Sequence, residues 1–270
     1  MFSRKKTRKV RVGNVYIGGD AAVSVQSMIN TRDPASSLEQ ISRLETAGCE
    51  IVRMAVPDTA SVKTFAAIRK EINIPLVADI HFDHKLALAA IDAGADKVRI
   101  NPGNIGSADR IKTVLNACSA AGIPIRIGVN SGSLEKDLLR QYGHPVPEAL
   151  VESAARHIRL CEEQGFYDLI VSIKASDVPG MIAANRYFSQ RFDYPLHLGV
   201  TESGTEQSGS IRSAVGIGTL LAEGIGDTIR VSLSGDPVRE IYVAKKILTA
   251  LKLRRGGVTV ISCPTCGRAS

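Results

Sequence analysis

The sequence alternates short runs rich in β-branched residues with longer amphipathic stretches, and it does so eight times. These runs predict β-strands at 22–26, 51–55, 76–80, 97–101, 125–129, 169–173, 196–200 and 228–232. The stretches that follow them predict helices at 36–47, 59–71, 84–93, 108–121, 148–164, 178–188, 207–223 and 237–251. Because parallel strands need crossover helices, eight such units indicate an α/β fold, a closed (β/α)8 TIM barrel.

Glycines and short turns add detail to this fold. A glycine closes five of the predicted helices and predicts a left-handed cap: Gly48, Gly94, Gly122, Gly165 and Gly224. An open doubly wound sheet is the alternative, but it usually carries a glycine-rich phosphate turn after its first strand, and no such turn is found there. The alternation around Gly13-Asn14 in 10–17 predicts a β-hairpin, which we place across the N-terminal mouth of the barrel.

We therefore divide the chain into three parts. Residues 1–20 hold a basic tail and the hairpin, 21–251 form the barrel, and 252–270 are a linker and the truncated start of a second domain. The chain is 270 residues long with 44% hydrophobic and 23% charged residues, which is ordinary for a globular protein.

The charge distribution argues against a nucleic-acid-binding protein. The formal net charge is +7, but six basic residues and no acidic ones lie within the first eleven residues, so the remainder is nearly neutral. Tryptophan is absent and aromatic residues make up 4%, which leaves little surface for stacking bases. We expect the basic tail to be a solvated arm, which could also dock an acidic protein partner.

Neither a membrane span nor a secretory leader is predicted. No apolar run approaches the ~20 residues that a helix needs to cross a bilayer, and no apolar leader follows the basic start. The five cysteines do not suggest a disulfide framework. A reducing cytoplasm is the expected location.

Charged and polar residues concentrate at the carboxyl ends of the predicted strands, where a (β/α)8 barrel places its active site. Five of them are basic: Arg53, Arg99, Arg126, Lys174 and Arg230. The others are polar or acidic: Asp79, His81, Asn101, Asn130, His197, Glu202 and Ser232. Two cations ~8 Å apart at an effective dielectric constant of ~20 repel by roughly 2 kcal/mol. The carboxylates offset only part of this repulsion, so we expect an anion, and guanidinium forks suit a diphosphate.

Some of these residues have ordinary structural alternatives. His81 and His197 could each be a hydrogen-bonded core histidine. The loop at 101–106 could line an oxyanion with its backbone N–H groups. Glu202, on a turn of small residues, could give or take a proton or could cap a helix.

The chain also holds half of a metal site. Cys263 and Cys266 lie in a Cys-Pro-Thr-Cys-Gly turn that directs two thiolates to one point, which suits zinc or an iron–sulfur cluster. Cys49, Cys118 and Cys161 lie in apolar segments and are expected to be buried structural thiols. The missing ligands would lie beyond Ser270 or on another chain; otherwise the pair is idle.

Six segments together have a specific counterpart in one enzyme family. They are VQSM at 25–28 with Thr31, VADIHF at 77–82, KVRINPGNIG at 97–106, RIGVNSGSL at 126–134, HLGVTE at 197–202 and SCPTCGR at 262–268. The chain resembles 4-hydroxy-3-methylbut-2-enyl diphosphate synthase, an iron–sulfur oxidoreductase of non-mevalonate isoprenoid biosynthesis. The resemblance runs from about residue 11 to the end, so the chain looks like the front part of a longer metalloprotein.

The resemblance implies a reductive ring opening and dehydration of 2-C-methyl-D-erythritol 2,4-cyclodiphosphate. A [4Fe–4S] cluster would supply the electrons, with flavodoxin or ferredoxin as donor, in a homodimer. Cys263 and Cys266 would be two cluster ligands, and Glu202 would be the proton donor. The residues implied to hold the cyclic diphosphate are Arg53, Asp79, His81, Arg99, Asn101, Arg126, Asn130, Lys174, His197, Arg230 and Ser232.

The chain departs from the family pattern because the third cysteine and the glutamate ligand of the cluster are absent. We therefore expect these 270 residues to bind the substrate weakly and to turn it over negligibly. Two alternatives remain open from the residues alone. One is a class I aldolase-type barrel with Lys174 as the Schiff-base lysine. The other is a binding module whose cysteines form half of a structural zinc knuckle.

Overall fold

The computed structural model describes residues 3–101, 108–256 and Cys263. The strands of this described part are β1 (Val10–Val12), β2 (Val15–Ile17), β3 (Ser24–Met28), β4 (Ile51–Ala55), β5 (Leu76–Asp79), β6 (Lys97–Ile100), β7 (Ile125–Asn130), β8 (Leu169–Lys174), β9 (His197–Leu198) and β10 (Thr228–Ile229). Its helices are α1 (Pro34–Ala47), α2 (Thr59–Glu71), α3 (His84–Asp92), α4 (Ala108–Ala121), α5 (Lys136–Tyr142), α6 (Pro147–Glu162), α7 (Val178–Arg191), α8 (Glu206–Ala222) and α9 (Pro237–Ala250).

Eight of the strands form one parallel sheet that closes on itself. The order is β8-β7-β6-β5-β4-β3-β10-β9, and a parallel bridge between Val171 and Leu196 joins the two ends. This arrangement confirms the predicted (β/α)8 barrel. The described helices follow the strands in alternation, so the apolar outer faces of the strands pack against the helices in one continuous core.

The predicted boundaries lie within three residues of the observed ones; the first barrel strand, predicted at 22–26, is Ser24–Met28. The predicted last two strands are shorter in the structure, because regular pairing stops at Leu198 and Ile229. Single hydrogen bonds continue the wall beyond them, such as Arg230 N to Leu198 O at 3.0 Å. A short additional helix, α5, was not predicted; it follows β7 and a 3-10 turn at Ser131–Ser133.

Helix ends are formed as elementary capping chemistry requires. All five predicted cap glycines have positive φ angles, between 63° and 97°, which confirms the predicted left-handed caps. At the other end, five helices begin with an aspartate whose carboxylate accepts a backbone N–H of the first turn: Asp33, Asp58, Asp83, Asp177 and Asp236. These caps fix the loops that follow the strands, at the face of the barrel formed by the carboxyl ends of the strands.

The hairpin β1–β2 closes the opposite end. Val10, Val12 and Ile17 pack against three residues near the amino ends of barrel strands: Ile51, Val77 and Ile170. This cluster confirms that the hairpin lies across the N-terminal mouth. The barrel is therefore open toward ligands only at the carboxyl ends of its strands, within the described residues.

The basic tail is not a solvated arm, so that prediction was wrong. Arg4 forms an ion pair of 2.7 Å with the buried Asp227, and the Arg8 guanidinium lies 4.3 Å from the centre of the Tyr194 ring. The backbone N–H of Lys5 donates to Gly224 O at 3.0 Å. The tail docks because a buried carboxylate needs a cation, and because an aromatic face attracts a guanidinium.

Three cysteines behave as expected of structural thiols. Cys49, Cys118 and Cys161 are buried and free, and burial raises the pKa of each to about 12. The proposed division at residues 20 and 251 stays a prediction. No helix among the described residues is long and apolar enough to span a bilayer.

Candidate functional site

A basic cavity of about 280 Å³ opens at the carboxyl ends of the barrel strands. Its lining includes ten of the residues predicted from the sequence: Arg53, Asp79, His81, Arg99, Arg126, Asn130, Lys174, Glu202, Arg230 and Ser232. It also includes three residues that were not predicted, Ser172, Val200 and Thr201. A neighbouring cavity of about 380 Å³ shares five of these residues and adds Asn101, Phe82 and the turn after β7. Of the 101–106 loop, residues 102–106 lie outside the described residues.

The strand register explains why these side chains meet. Asp79 of β5 is paired with Arg99 of β6, and Arg99 is paired with Arg126 of β7. Asn130 and Lys174 are paired in the same way at the ends of β7 and β8. Because paired residues project to the same side of a sheet, one layer of the barrel interior becomes a row of charges.

Asp79 is the central carboxylate of this row. It accepts a hydrogen bond from Arg99 Nη1 at 3.1 Å, and it lies 3.7 Å from Arg53 Nε and 3.4 Å from His81 Nε2. Burial by itself would raise the pKa of Asp79, but Arg53, His81 and Arg99 outweigh it and hold this pKa well below its usual range. Asp79 therefore stays ionised and orients two guanidinium groups toward the cavity.

Arg230 has its own carboxylate, Glu240, in the first turn of α9. Nε and Nη2 of Arg230 donate to the two Glu240 oxygens at 3.2 and 3.1 Å. The same carboxylate accepts from Ser27 Oγ at 3.0 Å and from the Leu233 N–H at 3.1 Å. Sequence reasoning missed Glu240, because an acidic residue in a first helical turn normally indicates only a favourable dipole contact. Among the described residues, Arg230 is thus the lining arginine whose carboxylate partner lies on a helix.

Arg126 and Lys174 remain without an ion-pair partner in the described part of the chain. Arg126 is 1% exposed, and neither its Nε nor its Nη1 has a hydrogen-bond partner. Burial lowers the pKa values of Arg126 and Lys174 well below their ordinary values, and the surrounding arginines add to this effect. Five basic side chains line the cavity, against the two lining carboxylates Asp79 and Glu202 and the Glu240 that pairs with Arg230, so the described part of the site carries surplus positive charge.

Glu202 lies at the entrance between the two cavities. It is exposed and has a φ of 51°, a left-handed conformation that is uncommon for any residue other than glycine, asparagine or aspartate. The capping alternative is wrong, because α8 begins after Thr205. Such backbone strain costs about 1–3 kcal/mol and concentrates at functional sites. The turn therefore presents the Glu202 carboxylate at the entrance.

A second polar layer lies below the cavity. His197 is fully buried and does not line the cavity, so the structure does not bring it to the predicted site. Lys97, which was not predicted, is also fully buried, and its Nζ lies 3.4 Å from Gln26 Oε1. Burial, aided by Arg126, lowers the pKa values of Lys97 and His197 well below their usual values. This layer therefore favours uncharged side chains beneath the anion-binding layer.

The cysteine turn lies largely outside the described residues. Cys263 is exposed and free, and Cys266 lies outside them. A [4Fe–4S] cluster takes four ligands, and the described residues contain no group of three or more His, Cys, Asp or Glu side chains that could hold a metal ion. The described donor set does not fit a complete cluster site.

Comparisons with known proteins agree with this architecture. Residues 7–245 match the family described as the GcpE TIM-barrel domain. A 4-hydroxy-3-methylbut-2-en-1-yl diphosphate synthase (flavodoxin) of Geobacter sulfurreducens is 57% identical over 267 residues, covering 98% of this chain and 76% of the relative. The enzyme of the same name from Clostridium perfringens is 58% identical over 269 residues, covering 99% and 77%. The chain spans about three quarters of the length of these relatives.

Solved structures of other enzymes share the fold alone. Dihydropteroate synthase of Yersinia pestis superposes with a TM-score of 0.64 at 15% identity, covering 90% of this chain and 98% of that one. For 3-dehydroquinate dehydratase of Geobacillus kaustophilus the TM-score is 0.63 at 14% identity, with 91% and 96% covered. The family match and the identities above 50% show a much closer relationship than these shared folds do. They show that the chain belongs to the GcpE family of 4-hydroxy-3-methylbut-2-en-1-yl diphosphate synthases.

Proposed function

We propose that the basic cavity binds 2-C-methyl-D-erythritol 2,4-cyclodiphosphate. The observation that carries the proposal is the set of five basic side chains around a cavity that two carboxylates line among the described residues, with a third carboxylate, Glu240, paired to Arg230. A cyclic diphosphate carries two negative charges, which the surplus positive charge can neutralise. The relatives are named for synthesis of a diphosphate of the same five-carbon skeleton.

The described contacts support a different role in ligand binding for two groups of basic residues. Arg126 and Lys174, which have no acidic partner among the described residues, supply charge to the diphosphate. Arg53 and Arg99 are oriented by Asp79, and Arg230 is oriented by Glu240. Guanidinium groups held in this way can offer paired N–H donors to phosphate oxygens with little loss of side-chain entropy.

Neutral and acidic residues complete the site. Asn130 and Ser232 line the cavity with groups that can hydrogen-bond to hydroxyl and phosphate oxygens, and Asn101 does so in the neighbouring cavity. Conversion of the cyclic diphosphate into 4-hydroxy-3-methylbut-2-enyl diphosphate takes up two electrons and two protons and releases one water. Glu202, at the entrance, is the group that we assign to deliver a proton.

We further propose that Cys263 and Cys266 contribute two ligands to a [4Fe–4S] cluster, which would supply the electrons. The relatives' names indicate flavodoxin as the donor, and a homodimer is part of the same proposal. The described residues do not complete such a site. A protein of these 270 residues alone should bind the cyclic diphosphate without measurable turnover in the presence of a reductant.

Calorimetric titration of the 270-residue protein tests the binding proposal. The cyclodiphosphate should bind more tightly than inorganic pyrophosphate, and Arg126→Ala should weaken binding roughly tenfold to a hundredfold. Arg69→Ala is the matched control, because Arg69 lies in the last turn of α2 and pairs with Asp96 outside the cavity. Equal affinity for the two ligands, or unchanged affinity in Arg126→Ala, would contradict the proposal.

The family assignment does not support the class I aldolase alternative. One observation is compatible with it, since burial lowers the pKa of Lys174 as a Schiff-base lysine requires. Borohydride reduction in the presence of a sugar phosphate separates the two functions by mass spectrometry. We expect no adduct on Lys174. Metal analysis of a longer chain distinguishes iron–sulfur from the zinc-knuckle alternative.

A further inference from the structure

Met28 lies between two of the arginines that line the cavity. It is the last residue of β3, where it is paired with Arg53 of β4, and β10 adjoins β3 on its other side. The Met28 sulfur lies 2.8 Å from Nη2 and 3.2 Å from Nε of Arg53. It also lies 3.8 Å from Nη1 of Arg230. One thioether therefore faces two guanidinium groups.

This contact is unusual because the acceptor carries no charge. A thioether sulfur is a weak and polarisable acceptor, so it can receive N–H groups without neutralising the cations that donate them. A carboxylate at the same position would form ion pairs with both arginines and cancel charge that an anion needs. A hydrocarbon side chain would leave the inward N–H groups of Arg53 without this acceptor.

The neighbouring acidic groups do not replace Met28. Asp79 lies 3.7 Å from Arg53 Nε, beyond hydrogen-bond distance, and its shorter contact is with Arg99. Glu240 takes Nε and Nη2 of Arg230, which leaves Nη1 facing the sulfur. Mutual repulsion between the two arginines adds to burial in lowering the pKa of Arg53 to about 10. A neutral group between them limits this repulsion without removing either charge.

We propose that Met28 is a positioning residue of the anion site, whose sulfur holds Arg53 and Arg230 in place while leaving their charges available to the ligand. This inference rests on the proposed function, because it assigns a role within the same cavity. It adds an uncharged residue to the set of side chains that determine how the cavity binds an anion.

Three substitutions separate acceptor, charge and shape. Met28→Leu keeps the volume and removes the acceptor, so the affinity for the cyclodiphosphate should fall ~3- to 10-fold. Met28→Gln restores a neutral acceptor and should bind within about threefold of the wild type. Met28→Glu should lose affinity more than tenfold, because it neutralises the arginines. Met54→Leu is the control, since Met54 lies on β4 in the apolar core and faces away from the cavity.

Calorimetric affinities and melting temperatures of the five proteins decide the matter. Equal affinity in Met28→Leu and the wild type, or a Met28→Gln variant as weak as Met28→Leu, would overturn the role of the sulfur. If the wild type binds inorganic pyrophosphate but not the cyclodiphosphate, the proposed function fails, and the same series measured with pyrophosphate still tests Met28. Binding of neither ligand would overturn both proposals.

Discussion

Gly128 lies directly against the guanidinium of Arg99. A Cβ at position 128 would stand 2.5 Å from Arg99 Nε and 2.8 Å from its Nη2. Gly128 belongs to β7, next to the strand that carries Arg99, and the two residues share the barrel interior. Because glycine has no side chain, the Arg99 guanidinium can occupy the space next to position 128 and turn toward Asp79 and the cavity. A Cβ at Gly199 would likewise stand 2.7 Å from the backbone oxygen of Arg230 and 2.8 Å from Lys174 Nζ.

Gly128→Ala should therefore displace Arg99 without unfolding the barrel. The clash involves the end of a flexible side chain, so the free energy of unfolding should change by less than about 2 kcal/mol. The affinity for the cyclodiphosphate should fall roughly tenfold, because a charged hydrogen-bonding partner is moved. Gly218→Ala is the control, since its added Cβ meets no atom of the described residues within 4 Å. Calorimetry that finds no loss of affinity in Gly128→Ala would contradict the assignment.

Arg126 and Arg230 should respond differently to the same substitution. Arg126→Met removes a buried cation that has no carboxylate partner among the described residues, so it should raise the stability of the ligand-free protein by about 1–3 kcal/mol. Arg230→Met leaves the buried Glu240 without its ion-pair partner and should lower the free energy of unfolding by about 3 kcal/mol. Both should weaken ligand binding at least tenfold. Urea unfolding and calorimetry measure the two effects; a loss of stability in Arg126→Met would be evidence that this arginine has an acidic partner.

Binding of the cyclic diphosphate should be accompanied by proton uptake at Lys174. Burial, followed by the charge of Arg126, holds the pKa of Lys174 well below that of an ordinary lysine. A bound dianion favours the charged amine and raises this pKa, so the protein takes up a proton at pH values between the free and bound pKa. The affinity is full below the free-state pKa and falls as the pH rises through that window.

Calorimetry in buffers of different ionisation enthalpy counts the protons. The wild type should show net uptake, and Lys174→Met should show less. Lys97 lies in the layer below and has a similarly lowered pKa, so Lys97→Met shows whether part of the proton uptake occurs at Lys97 instead. A binding enthalpy that is independent of the buffer would rule out coupled protonation.

The ion pair between Arg4 and Asp227 should stabilise the barrel at its least regular strands. Asp227 is 1% exposed, and besides Arg4 it accepts from Thr7 Oγ1 at 3.0 Å and from the Leu196 N–H at 2.9 Å. Asp227→Asn should lower the free energy of unfolding by about 1–3 kcal/mol. Asp193→Asn is the control, because its pair with Arg8 is largely exposed and should be worth less than about 1 kcal/mol. Equal urea midpoints for the two variants would show that the tail contributes no more than a surface contact.

Particular residues show how much of the fold and of the site could be predicted from the sequence. The limits of β4, α2 and α4 were predicted to the residue, because β-branched runs and helical periodicity are local properties. Most of the ten predicted residues that line the cavity could be named because they lie at or near the carboxyl end of a strand, and a barrel brings these ends together. Arg126 is the exception: it is the second residue of β7 and still lines the cavity. Helix α5 and the docked tail were missed; the tail docks through contacts with segments that are distant along the chain, such as the ion pair of Arg4 with Asp227.

The barrel, the closing hairpin and the basic residues at the strand ends could be predicted from the order of the amino acids, because periodicity and position along the chain suffice for these. Which of these basic residues are neutralised follows from their neighbours in the folded protein. Arg230 has Glu240, Arg99 has Asp79, and Arg53 faces the sulfur of Met28. Arg126 and Lys174 have no carboxylate among the described residues. Coulomb energies depend on distances in space and on burial, and neither can be read from positions along the chain.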